Sequence, residues 1–181
     1  MNKLSFLFTF MLLITLVATS LANSPVDEPA FIKEFIDQID FIEGRLIQLE
    51  GAIFQDQMIW APAEGVRSVA TVYLHVAEAN YFLVSKMTGE APKGERGSLE
   101  KSTTDKGKIA DILKVSFEKI KESAAKLTSD DLNNEFEMFG QTSTLRNFMI
   151  TILNHMHEHL GQGIAYARMN GVTPPWSMKE E

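Results

Sequence analysis

Residues 143 to 171 read STLRNFMITILNHMHEHLGQGIAYARMNG, and this stretch decides the fold. Leu145, Met149, Ile152, Met156 and Leu160 recur at spacings of three and four, the mark of a helix with one buried face. Thr142 or Ser143 stands ahead of them to accept hydrogen bonds from the free N–H groups of the first turn. The helix is expected to run to about Asn170, where Gly171 and then Pro174-Pro175 stop it.

The same period runs upstream. Between Pro29 and Phe54 the apolar residues Ile32, Phe35, Ile36, Ile39, Ile42, Leu46, Leu49 and Ile53 form a one-faced helix, opened by Asp27 and Glu28 with Pro29 in its first turn. A second helix is expected from near Pro62 or Glu64 to Met87, with Val69, Val72, Val76, Leu83 and Met87 on its stripe and Gly89 as its stop. Glu64 and Arg67 then fall at its start, where a carboxylate suits the helix dipole. The stretch from Glu90 to Thr103 holds Pro92, Gly94, Gly97 and alternating charges, and reads as an exposed connection too long for a simple hairpin. A third helix, capped by Thr104 or Asp105, turns Ile109, Ile112, Leu113, Phe117, Ile120 and Ala124 inward and Lys108, Lys114, Lys119, Lys121 and Glu122 to water. Ser129 to Asn134 reads as a short turn or helix. Phe136 to Phe139, ahead of Gly140, reads as an extended or turn-like link on which no sheet is expected. Four long amphipathic helices make an all-α protein, a four-helix bundle of antiparallel or crossover type, with a long connection between helices 2 and 3.

Composition narrows the function. The 181 residues are 45% hydrophobic and carry a formal net charge of -7, and no cluster of Lys and Arg stands out to neutralise phosphates, so no nucleic-acid partner is expected. The absence of cysteine excludes a thiol nucleophile, a disulfide scaffold, a zinc knuckle and a lipidated cysteine anchor. Residues 1–22, MNKLSFLFTFMLLITLVATSLA, place Lys3 before an apolar run and end in the small residues Ser20 and Ala22, the pattern of a cleaved secretory signal peptide. The run is short for a membrane span and is broken by Thr9, Thr15 and Thr19. The expectation is a signal peptide over 1–22, a single helical domain over 23–181, a periplasmic or secreted location and no stable membrane insertion after cleavage. Losing Lys3 makes the mature chain more acidic, at -8.

Chemistry then falls to the histidines, carboxylates and hydroxyls. Three of four histidines lie in Asn154-His155-Met156-His157-Glu158-His159, and the fourth, His75, lies in the second helix. At about 100° per residue, His155 and His159 differ by about 40° and stack on one face, whereas His157 points about 200° away from His155. Two imidazoles at i and i+4 can reach one divalent ion, and His75 is the only histidine left to supply a third ligand from a neighbouring helix. The spacing alone also admits a polar helix margin beside an unrelated core histidine. Gln162 and Tyr166, one and two turns beyond His159, are candidates for orienting a ligand or lining a pocket. Trp60 and Trp176 read as caps over the bundle ends, with a share in a pocket wall as the sharper alternative. No Gly-x-Ser-x-Gly elbow is present, which removes the Ser-His-Asp hydrolase of the α/β type.

His155-Met156-His157-Glu158-His159-Leu160-Gly161-Gln162, followed by Tyr166, Arg168, Gly171 and Pro174-Pro175-Trp176-Ser177, resembles the closing helix and tail of the DinB-like, damage-inducible superfamily. Trp60 to Ala70 leading to His75 resembles its second motif, and the likeness runs from about Phe31 to Ser177. The resemblance implies a four-helix bundle with a long second crossover, often a homodimer, and a divalent metal on three histidines, which here are His75, His155 and His159. It also implies a small-molecule substrate, since characterised relatives include metal-dependent transferases and isomerases that use low-molecular-weight thiols. A metal-dependent transferase or hydrolase is the reading this favours, with a noncatalytic metal- or ligand-binding bundle as the alternative. Zinc and nickel lead as candidates, ahead of iron and manganese, because imidazole suits several ions. The chain departs from the pattern after the first histidine of the pair, where relatives commonly carry a carboxylate and this chain carries Met156.

Overall fold

A computed structural model of the chain describes residues 28–91, 94–138 and 140–178. The signal peptide expected over 1–22 and the helix-opening Asp27 lie outside the described residues. Four long helices form the body: α1 (Glu28–Ala52), α2 (Val69–Thr88), α3 (Lys106–Ala124) and α5 (Leu145–Met169). A one-turn helix, α4 (Ser129–Leu132), and a two-stranded hairpin, β1 (Glu135–Met138) and β2 (Gln141–Thr144), lie between α3 and α5.

The apolar stripes became the core. Phe35, Ile39, Ile42, Leu46 and Leu49 of α1 are all at most 1% exposed, and they meet Leu113, Phe117 and Ile120 of α3 and Met149 and Met156 of α5. Hydrophobic burial of this kind is the main favourable term in folding. Among the described residues no helix is long and apolar enough to cross a membrane. The polar side chains Glu50, Asn80 and Ser116 are buried with the core. Asn80 donates to the Ser116 hydroxyl over 2.9 Å, and that hydroxyl donates to the Leu113 carbonyl.

Helix directions follow from paired contacts. Lys106 at the start of α3 reaches the carbonyls of Gly51 and Ile53 at the end of α1, while Lys121 at the end of α3 reaches Asp40 and Glu43, so α1 and α3 are antiparallel. Leu49 lies by Gly163 and Phe31 under Arg146, so α1 and α5 are parallel. Phe82 meets Phe148 edge to face and His75 meets His155, so α2 and α5 are antiparallel. It follows that α2 and α3, which pack together, run parallel. A parallel pair cannot be joined by a tight turn. The chain must return the length of α2, about 30 Å at 1.5 Å per residue, and this is the physical reason for the long second connection. On that return the 3-10 turn at Leu99–Lys101 packs against α2.

Helix ends follow local chemistry, and some differ from expectation. The second helix begins at Val69, not near Pro62 or Glu64, because the Ser68 side chain accepts from the Thr71 N–H and Gly65 takes a left-handed φ of 75° that no helix continues through. Glu64 and Arg67 therefore precede the helix. The expected stop at Gly89 is observed, with φ 73°. Of the two caps offered for the third helix, Asp105 acts, accepting from the Lys108 N–H. The extended segment from Phe136 does pair, contrary to expectation: Glu135–Met138 runs antiparallel to Gln141–Thr144 across Gly140, φ 77°. Phe136 and Met138 lean on the core, Phe136 edge-on to Phe148, while Thr142 donates to Glu137 on the outer side. Pairing carries the last helix start to Leu145, capped by Thr144.

Candidate metal centre

His75 sits in the second turn of α2, and His155 and His159 sit one turn apart on α5 where the two antiparallel helices face each other. The three side chains converge on their Nε2 atoms. Nε2 of His155 is 3.0 Å from that of His75 and 3.1 Å from that of His159, and one ligand nitrogen from each lies within 4.8 Å of the others. His157 is exposed and binds the Leu153 carbonyl of its own helix, as the helical projection required. Glu158 is exposed as well, and Met156 is buried in the core.

The backs of the rings decide their chemistry. His75 Nδ1 lies 2.6 Å from Glu100 Oε1; a carboxylate only accepts, so Nδ1 carries the hydrogen and Nε2 is left with its lone pair. His159 Nδ1 likewise donates to Gln162 Oε1 over 2.8 Å, while the Gln162 amide donates to the Tyr166 hydroxyl over 2.9 Å. His155 Nδ1 is buried without a partner among the described residues. Two lone pairs thus point at the nitrogen of a third ring, which can supply at most one hydrogen to them. A cation among the three nitrogens would satisfy all of them, and the donor set of three neutral imidazoles suits a divalent ion of the first transition row.

The electrostatics favour the neutral ring at His155 and at His159. Burial, then the neighbouring His159, His75 and Arg67, push His155 down to about 4. Burial also holds His159 below the ordinary imidazole range, against the hydrogen bond it donates to Gln162. Glu100 is pushed up by burial, but hydrogen bonds from Arg67 and His75 outweigh this and keep it below the usual carboxylate range. Arg67 grips Glu100 with two nitrogens, Nε to Oε2 at 2.9 Å and Nη2 to Oε1 at 3.1 Å.

Gln162 and Tyr166, both expected from spacing, form one row running out from His159. Tyr166 is buried and meets the edge of Trp60 at 5.3 Å. Trp60 is pinned there because its carbonyl accepts the first N–H of α2, from Val69, over 3.0 Å. Trp176 lies elsewhere, packed on Arg45 of α1, and takes no part in the centre. Glu100 was missed from the sequence. It stands among Glu90, Glu95, Arg96 and Lys101 in a stretch that reads as solvated, and no spacing sets it apart. The signal that could have found it is structural: a connection between parallel helices has to pass along α2, the helix that carries His75.

An up-down-down-up bundle with three convergent histidines between its antiparallel second and last long helices defines a class of helical proteins with a candidate metal site. The model of the DinB superfamily matches residues 38–162, and the chain belongs to that superfamily. Among solved structures, a DinB-like protein from Bacillus cereus superposes with a TM-score of 0.68 at 22% identity, covering 79% of this chain and 95% of that one. A DinB-like protein from Bacillus subtilis gives 0.62 at 21% identity, covering 82% and 99%. YfiT from Bacillus subtilis, described as a probable metal-dependent hydrolase with an unusual four-helix bundle topology, gives 0.65 at 16% identity, covering 83% and 93%. No curated protein matches the sequence.

Proposed function

We propose that this protein is an exported metal-dependent enzyme, a hydrolase or transferase acting on a small molecule, in which His75, His155 and His159 hold a divalent zinc or nickel ion. The observation that carries the reading is the convergence of three Nε2 atoms whose rings are set, at two of the three, by hydrogen bonds to Nδ1. The description of the structurally similar YfiT as a metal-dependent hydrolase supports the hydrolase form. Export, read from residues 1–22, supports it too, because thiol cofactors are scarcer outside the cytoplasm. Family resemblance adds a homodimer to the proposal.

When bound, such an ion supplies Lewis acidity and lowers the pKa of a coordinated water or thiol. The chain's own residues do the rest. Glu100 and Gln162 fix two rings in the tautomer that presents Nε2. Tyr166 accepts from Gln162, so its phenolic hydrogen is free to donate to a substrate. The Trp60 ring packs edge-on against the Tyr166 ring and helps hold it in place. The chain has no cysteine, so any sulfur nucleophile has to arrive as substrate.

The test is elemental analysis of the mature protein exported by its own host, followed by hydrolysis and thiol-transfer screens with metal restored. One equivalent of divalent metal and turnover in either screen supports the proposal. Absence of stoichiometric metal overturns it, and metal without turnover in any assay leaves a binding protein in place of the enzyme.

A further inference from the structure

We infer that Glu100, delivered by the connection between α2 and α3 and clamped by Arg67, is a positioning residue that sets the metal affinity of His75. This rests on the three-histidine reading above. Each ring has a different group behind it: a carboxylate at His75, a neutral amide at His159, and no partner at His155 among the described residues. An anionic acceptor on Nδ1–H pushes electron density toward Nε2 and makes His75 the strongest donor of the three. The amide at His159 orients its ring without that polarisation.

Glu100 is held as a second-row group and not as a ligand. Oε1 takes the His75 N–H at 2.6 Å and an Arg67 N–H at 3.1 Å, and Oε2 takes Arg67 Nε at 2.9 Å, so both oxygens are spoken for on the side of the ring away from the other histidines. The fork geometry of Arg67 fixes the carboxylate in direction as well as charge. Arg67 also cancels its charge, so the three rings and this pair together add no net charge to a bound cation. A divalent centre of that kind keeps its full positive charge for an incoming anion, such as a carboxylate or thiolate substrate.

The connection has a second hold on α2: the Gly97 N–H donates to Glu78, one turn further along the helix. That contact supplies the control. Glu78→Gln weakens the docking of the same connection without touching a histidine, so a purely structural role for Glu100 predicts that the two variants behave alike.

The experiment measures zinc affinity of the purified mature protein by competition with a chromophoric chelator, and the cobalt(II) absorption spectrum of each variant. Glu100→Gln keeps size and acceptor oxygen but removes the charge; it and Glu100→Ala should bind zinc about 10- to 100-fold more weakly than wild type. The cobalt band positions should remain those of the wild-type ligand set, and Glu78→Gln should stay within about threefold of wild type. Circular dichroism and urea unfolding verify that each variant is folded; should Glu100→Ala fail to fold, Glu100→Gln decides alone. Zinc affinity of Glu100→Gln within threefold of wild type, or an equal loss in Glu78→Gln, overturns the inference. A changed cobalt spectrum in Glu100→Gln also overturns it, by making Glu100 a ligand. Failure of the three-histidine reading looks different: His75→Ala would then bind zinc as wild type does.

Discussion

Single side chains in this protein separate by angle and by burial. His155 and His157 are two residues apart, yet one meets two other imidazoles and the other binds its own helix backbone. His155→Ala should therefore abolish stoichiometric zinc binding, while His157→Ala should leave it within about twofold; isothermal titration checks both. Glu50 offers a prediction of a different kind. It is 3% exposed, its Oε1 has no partner among the described residues, and burial pushes its carboxyl up, against a smaller downward pull from Lys106 and Lys114. A carboxyl whose folded pKa exceeds its unfolded value contributes most below the unfolded value and costs stability as pH rises through the folded one. Glu50→Gln should thus gain stability relative to wild type as pH is raised from 4.5 to 8. Urea midpoints across that range measure the gap, and a constant gap would refute the account.

At the scale of elements, helix identity was legible and helix junctions were not. The stripes through Phe35 to Leu49 and Leu145 to Leu160 are long, and every residue in them counts toward one period, so they specify buried faces whatever their neighbours do. Junctions turn on a few atoms. Ser68 caps α2, beyond the Pro62 or Glu64 expected, because its hydroxyl meets a free N–H, a match of two atoms that no period announces. The hairpin before α5 is four residues a side and shows no clean alternation beyond Phe136 and Met138, and its pairing depends on the Phe148 face it leans on. The three ligating candidates were legible because each lies on a helix with a clear phase, while Glu100 lies on a segment with none. Thr144, the cap that this hairpin delivers, accepts from the Asn147 N–H over 3.2 Å. Thr144→Ala should cost about 1 kcal/mol in urea unfolding and leave zinc stoichiometry unchanged, since His155 lies three turns downstream.

For the whole molecule, the histidines tie the second and last long helices together at one level of the bundle. A ligand that binds only the folded state adds RT ln(1 + [L]/Kd) to stability, about 4 kcal/mol when free zinc is a thousandfold above Kd. The melting temperature should rise with zinc, fall back with chelator, and stay fixed in His155→Ala. Calorimetric scans with and without zinc measure this directly.

The docking of the 94–105 stretch on α2 also divides the labour of the chain between two kinds of sequence. The imidazoles belong to long helices whose residues are locked by packing on both neighbours, so their positions cannot drift without cost to the core. Glu100 belongs to the connection, which is held on α2 through Glu100 itself, the Gly97 N–H to Glu78 and the packing of Leu99 on the core. The three imidazoles and the carboxylate behind one of them are therefore encoded in separate stretches, so a change at Glu100 can arise without disturbing the helical period that places the histidines.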